Sequence, residues 1–395
     1  MARCADILSA RRSPVIGERC ALFERKHLVT VRTRLLAAED AHIVAPIWTG
    51  LEEHVGEGRP SISWTWTSTW LRHYGDAVAP KFVVVERQGE PIAAALLIVS
   101  RRGNPVLSPR RLHLGTAGEP SGQSVFVEYN DLLCAPEDMT AVVRALAGAI
   151  NDMPGWDELD LPGFRPETAE ALREAIPFEA REDASWTVRL SSSRTVLEGM
   201  TGPNRRLVRQ ARESLCPVEP ELAADPGTAD EMLAELIELH QARWTAAGRP
   251  GVFASRRLDG FLKDLIREWH PEGRALIYRL RDEAGSTIGC VVGFVEDDRF
   301  LQYQSGFQQY TENRKRAGLL CHAVFAEHCR GRGLSEYELL AGDGRFKRQL
   351  SGGERNTLVW GQYTRPSLRN RAIDAARRAR DAAVELRAAA GRRGH

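Results

Sequence analysis

Cysteine is scarce and scattered in this chain: seven in 395 residues, an odd count with no Cys-x-x-Cys pair. That spacing excludes a disulfide framework and a zinc knuckle, and it fits a reducing compartment, so a cytoplasmic location is expected. Long hydrophobic runs are missing too. The longest apolar stretch, residues 92–99, is far short of the ~18 residues a membrane helix needs. The opening residues carry arginines without the apolar segment of a secretory signal. Charge is balanced, 54 Lys and Arg against 53 Asp and Glu, which excludes bulk attraction to nucleic acid but leaves room for a local basic patch. There is no His-x-x-x-His, G-x-S-x-G, Walker loop or EF-hand loop, so metalloprotease, serine-hydrolase, nucleotide-hydrolase and calcium roles lose support, and no metal is expected.

What is present suits a globular chain with two cores: 43% hydrophobic and 27% charged residues over a length that allows two or three domains. Residues 1–36 are basic and weakly patterned and read as a disordered arm. Helical patterns follow at 43–54 and between Pro60 and Gly75, the second bearing Trp64, Trp66 and Trp70, which suit packing between elements. A hairpin is expected at 81–87 (KFVVVER) and 91–99 (PIAAALLIV), turned around Gly89. Strands are expected at 111–114, 125–133, 156–161 and 185–190, with a helix at 139–151. The second half repeats the order: helices at 229–246 and 258–269, a hairpin at 274–281 and 287–294, a strand at 299–307, a helix at 318–330 and a strand at 334–339. WDELDL at 156–161 and LSEYEL at 334–339 share their polarity pattern, with Glu158 matching Glu336 and Asp160 matching Glu338. Two copies of one α/β unit with a mixed sheet are therefore expected, at 37–195 and 196–365. A basic helix is expected at 366–395, where eight arginines face three acids and Ile373, Val384 and Leu386 supply an apolar side.

Between the third strand and the following helix of the second copy lies NRKRAGLL, residues 313–320. Arg314, Lys315 and Arg316 meet Gly318 and Leu319 where a helix start exposes unpaired N–H groups, an arrangement suited to a pyrophosphate. A solvated basic turn is the competing reading. Hairpin, third strand, basic loop with glycine, helix and strand together resemble the GNAT acyltransferase superfamily, whose Arg/Gln-x-x-Gly-x-Gly/Ala loop binds acyl-CoA. This chain differs in carrying Lys315 at the first position and Leu320 at the last.

LHQARW at 239–244 with Gly248, Gly251 and Phe253, and YELLAGD at 337–343 with Phe346 and Lys347, resemble signatures of the CelD-like, cellulose-biosynthesis-type tandem-GNAT proteins. The hairpin at 81–98 and EYNDLL at 128–133 are similar to the first module of that family. The resemblance implies two GNAT-like acyltransferase modules in tandem, acyl-CoA (acetyl-CoA or longer) as co-substrate, and an amine or hydroxyl acceptor such as a saccharide or peptide precursor of the cell envelope or of polysaccharide biosynthesis. FemAB-type peptidyltransferases share the architecture and use aminoacyl-tRNA. In that alternative the basic segment with Arg205 and Arg206 would meet tRNA; otherwise no nucleic-acid partner is expected. A non-catalytic scaffold with a degenerate donor loop is the third reading, and the number of chains that assemble stays open.

Several residues carry candidate chemistry. Lys347 can stabilise an oxyanion or a phosphate, Asp343 in its Gly-Asp-Gly turn can act as a base or simply favour the turn, and Tyr303 can protonate a leaving group or sit in the core. His240 and Trp244, four apart on one helix face, can shape an acceptor pocket; Glu338, on the last strand of the pair, can face the cleft and meet substrate as a buried acid or sit at a solvated edge. Each also has a structural reading.

Overall fold

The computed structural model describes residues 31–56, 58–101, 103, 108–191, 194–342 and 344–393. In chain order the first half holds β1 (Val31–Ala37), α1 (Ala41–Val55), α2 (Trp64–Tyr74), β2 (Ala79–Arg87), β3 (Glu90–Arg101), β4 (Arg110–Leu114), β5 (Leu133–Cys134), α3 (Met139–Asp152), β6 (Glu158–Phe164), α4 (Pro166–Ala175) and β7 (Glu179–Arg189). The second half holds α5 (Val196–Gly199), α6 (Gly202–Leu215), β8 (Glu221–Leu222), α7 (Pro226–Ala246), α8 (Arg256–Trp269), β9 (Ala275–Arg281), β10 (Thr287–Glu296), β11 (Arg299–Phe307), α9 (Ala317–Gly331), β12 (Glu336–Ala341), α10 (Arg345–Ser351), β13 (Arg355–Thr364) and α11 (Leu368–Arg393).

Local chemistry sets these boundaries. The Ser63 hydroxyl accepts the Trp66 N–H at 3.2 Å and caps α2. Pro226 opens α7, and the Asp225 carboxylate accepts the N–H groups of Gly227 and Thr228 at 2.9 and 3.0 Å. Gln88 and Gly89 both take positive φ, 56° and 92°, giving the two-residue turn whose twist suits the β2–β3 hairpin.

All the strands join one sheet in the order β1-β2-β3-β4-β6-β13-β7-β12-β11-β10-β9-β8, with β5 beside β3. The duplication is explicit in the registers. β4 runs parallel to β6 with Arg111 opposite Glu158, and β11 runs parallel to β12 with Arg299 opposite Glu336. Both couples also form ion pairs, at 2.9 and 3.8 Å. The chain is thus a mixed α/β protein of two repeated modules in tandem. The modules trade their last strands: β7 of the first half pairs with β12 of the second, β13 of the second pairs with β6 of the first, and β7 and β13 pair with each other. One core cluster spans both halves, with Trp66 edge-on to Phe261, Phe294 and Tyr303 at 5.0–6.0 Å.

Four expectations change. Residues 31–37 leave the expected arm and form the edge strand β1, because β2 offers it a complete antiparallel register; residues 1–30 lie outside the described residues. The strand expected at 125–133 shrinks to β5, since Phe126 and Tyr129 turn to positive φ (53° and 56°) and break the ladder. α4 and β13 add to the expected elements, and β7 begins six residues before its expected start. The last expected strand of the second copy is shifted to 336–341, because the Leu334 N–H is taken by Cys329 O in the turn that ends α9. α11 docks by its first turns: Asn370 Nδ2 donates to Asp157 O, Arg377 pairs with Glu158 and Ile373 is buried, while the side chains of Val384 and Leu386 lie outside the described residues.

A candidate donor and acceptor site between the two modules

β11 and β12 pair only at Arg299–Glu336, Phe300–Tyr337 and Leu301–Glu338, and beyond these they part. Because β12 runs parallel to β11, α9 must return between them, so its N-terminus lies at the end where the strands separate. The N–H groups of Ala317, Gly318 and Leu319 have no acceptor among the described residues, and the first helical bond there is Leu320 N–H to Arg316 O at 3.0 Å. Arg314 is exposed. Lys315 pairs with Glu312 at 3.2 Å and lies over the Tyr310 ring. The glycine has a reason: a Cβ at Gly318 would stand 3.1 Å from the Phe307 ring. The side chains of Leu319 and Leu320 are buried in the core, so Leu319 offers only its N–H and Leu320 does not project into the loop. The first module lacks this charge pattern. There α3 starts beside Glu137 and Asp138, and Asp138 pairs with Arg87 at 2.5 Å. An anion is favoured at α9 and opposed at α3.

The end of β12 is the second part of the site. The Ala341 N–H donates to the Glu128 carboxylate at 2.7 Å, while Lys347 on α10 donates from Nζ to the carbonyls of Leu340 and Ala341 at 3.2 and 2.6 Å. Trp186 Nε1 holds the Gly342 carbonyl at 3.1 Å. Burial pushes the Glu128 carboxyl up to about 7, against the pull of the Ala341 N–H and the Lys347 charge. Burial also lowers Lys347, which Glu128, Glu338 and Asp183 oppose. Three non-glycine residues in this region hold positive φ: Phe126, Tyr129 and Leu340. Such strain persists only where surroundings over-determine it, and it gathers at functional sites.

Of the residues singled out from sequence, Lys347 reaches this cluster, and Asp343 lies outside the described residues. Glu338 is fully buried and occupied: it accepts from Ser185 Oγ at 2.7 Å, Asn356 Nδ2 at 3.0 Å and the Leu340 N–H at 3.2 Å. It stiffens the junction and presents nothing to a ligand. Tyr303 is likewise internal, its hydroxyl donating to the Val125 carbonyl across the module boundary. His240 has both nitrogens engaged, Nε2 accepting from Trp244 Nε1 at 2.9 Å and Nδ1 facing Gln241 Oε1 at 3.2 Å, and burial lowers its pKa, so it stays neutral and orients Trp244. Trp244 does line a cavity of about 540 Å³, together with Phe126, Arg249 and Val252. None of residues 314–319 lines that cavity, so the candidate anion site and this cavity are formed by different residues.

Sequence reasoning did not single out Glu128 for chemistry. It lines two smaller cavities. One is set between Leu301 and Tyr303 of β11 and Leu340 of β12; the other, about 220 Å³, is bordered by His113, Glu119, Asp160 and Trp360. Phe126 is a wall common to both and to the 540 Å³ cavity. The string EYNDLL was visible, but no spacing says that its first residue crosses into the other module.

Comparison with known proteins bears on the fold. The architecture is GNAT-like and FemAB-like. Residues 204–348 match the family model described as an acetyltransferase (GNAT) domain. Among solved structures, the chain is similar to the C-terminal domain of a candidate lysylphosphatidylglycerol synthetase from Agrobacterium fabrum, with a TM-score of 0.53 at 12% identity, covering 85% of this chain and 96% of that one. It is also similar to L-PGS from Bacillus licheniformis (0.52, 12%, 84% and 95%) and to FemX (0.50, 10%, 77% and 91%). At such identities the likeness is one of fold. No curated protein sequence matches the chain.

Proposed function

We propose that this protein is a GNAT-type acyltransferase whose second module holds the donor. The observation that carries the reading is the start of α9, where three N–H groups without acceptors meet Arg314 and Lys315 at the opening between β11 and β12. A donor phosphate sits on Ala317, Gly318 and Leu319, with Arg314 and Lys315 turning towards it. Lys347 lies beside the acyl group and stabilises negative charge developing on its oxygen. Acyl-CoA is the donor of first choice, an amine or hydroxyl is the acceptor, and a cell-envelope saccharide precursor in the cytoplasm suits the CelD-like motifs. No helix among the described residues is long and apolar enough to cross a membrane.

Aminoacyl-tRNA is the second donor, favoured by the FemX-like fold and by Arg206 and Arg209, which are exposed on α6. Calorimetry with acetyl-CoA and filter binding with charged tRNA at two salt concentrations separate the two. The acyl-CoA reading expects saturable heat that Gly318→Asp weakens at least tenfold, because a carboxylate then occupies the anion position. The tRNA reading expects affinity that falls steeply with salt. Binding of neither donor by folded protein leaves a scaffold.

A further inference from the structure

Glu128 belongs to the first module but enters the second. Its carboxylate holds the last N–H of β12 in the parting between β11 and β12, on a segment forced into left-handed backbone at Phe126 and Tyr129 on either side. One carboxylate oxygen is held by that N–H, and the group borders two cavities, so it is oriented without being sealed. Phe126 lines these cavities and also the larger one, whose walls include Trp244, Pro250 and Val252, with Arg249 over the Trp244 ring at its edge.

We infer that Glu128 is the catalytic base of the transfer, supplied by one module to the donor held by the other, and that the acceptor is an amine or alcohol with an apolar body, bound against Trp244 and Phe126. This rests on the transferase reading above and adds its base and its acceptor class. The acceptor nitrogen or oxygen attacks the acyl carbonyl carbon and forms the new C–N or C–O bond while the donor's C–S or C–O bond breaks. Glu128 takes the proton from the attacking atom and returns it to the leaving sulfur or oxygen, so charge and protons balance. The groups around the carboxylate suit this cycle. Lys347 on α10 favours its ionised form, Glu338 on β12 and Asp183 on β7 oppose it, and Tyr303 faces it as a neutral phenol. His113, Glu119 and Asp160 face it across the 220 Å³ cavity. With burial setting its pKa at about 7, the carboxylate is available both to take and to give a proton near neutral pH.

The test uses the full chain and two arms. Without donor, octylamine is titrated by calorimetry against wild type and Trp244→Ala, with glucosamine as the polar control. Octylamine is expected to bind, about tenfold more weakly to the variant, and glucosamine to bind less well. Octylamine affinity that ignores Trp244→Ala, or a preference for glucosamine, overturns the acceptor class. With donor, turnover of acetyl-CoA or of charged tRNA with octylamine is followed from pH 5.5 to 9. Wild-type kcat is expected to rise through about pH 7 as Glu128 ionises. Glu128→Gln, which keeps an oxygen for the Ala341 N–H, should lose about 100-fold or more in kcat together with that rise, at unchanged octylamine affinity. A Gln variant that keeps both kcat and the acid limb overturns the base while the transferase stands. No turnover of either donor by wild type that still binds octylamine overturns the transferase reading and the base with it, and leaves the acceptor pocket as a binding site.

Discussion

His322 shows how a buried titratable side chain acts at the scale of a single residue. Its ring is fully enclosed on α9, stacked on Phe346 at 5.2 Å with Nδ1 at 2.9 Å from the Tyr337 hydroxyl, and Nε2 has no partner. Burial, helped by the Lys347 charge, pushes its pKa down to about 3. The unfolded chain takes up this proton near pH 6.5 and the folded protein only near 3, so folding stability falls as pH drops through that window. Urea unfolding at pH 7 and pH 4.5 checks it. His322→Phe should cost about 1 kcal/mol at pH 7 through the lost Tyr337 bond and should flatten the acid dependence. A variant as acid-sensitive as wild type would assign the loss to other groups. The residue scale also explains why Lys347 reaches the end of β12 while Tyr303 and Glu338 spend their polar atoms on internal partners. A lysine after a turn was reachable by motif, whereas whether a strand residue faces a cleft or a closed interior depends on which strand lies beside it. Here Val125, 178 positions from Tyr303, and Ser185, 153 from Glu338, take up their polar atoms, with Asn356 as a second partner of Glu338.

At the scale of elements, α7 and β11 fix where Trp244 stands. Gly306 lets the helix backbone pass against the strand: a Cβ there would press into the Leu236 carbonyl oxygen and stand 3.0 Å from the His240 nitrogen. Gly306→Ala is expected to push α7 outward and cost about 2–3 kcal/mol, as overpacking does, and to weaken octylamine binding, because α7 carries both His240 and Trp244. Thermal unfolding together with the calorimetric titration reads both effects; a normal melting temperature with normal affinity would show that α7 adjusts freely. The same scale separates the helix starts of the two modules. α3 and α9 hold the same position after the third strand of their repeat, yet one begins beside acids and the other beside arginines and a lysine. The fold provides a helix dipole in both places, and the residues around it decide which can hold an anion.

For the molecule as a whole, the exchanged strands make the halves interdependent. β13 lies between β6 and β7, and Leu358 on it is fully buried. Leu358→Ala is expected to cost about 2–5 kcal/mol and to loosen both modules together: hydrogen exchange should rise in β2–β4 and in β9–β11 in parallel, within a single unfolding transition. Faster exchange confined to one half would show modules that unfold separately. Much of this was legible in the chain. The alternating apolar hairpins, the Gly89 turn, the helix periods, the paired WDELDL and LSEYEL strings and the basic loop before α9 all follow from period and local chemistry, which depend on neighbours within a few residues. The partners of β7 and β13, the crossing of Glu128 into the other module, the left-handed backbone at Phe126 and Tyr129 and the cavity beside Trp244 are decided by contacts between residues far apart in the chain, such as Glu128 with Ala341, 213 positions away. Local sequence sets each element's period and ends, but a strand's choice of neighbour and a carboxylate's loss of water arise only when the two copies close on each other.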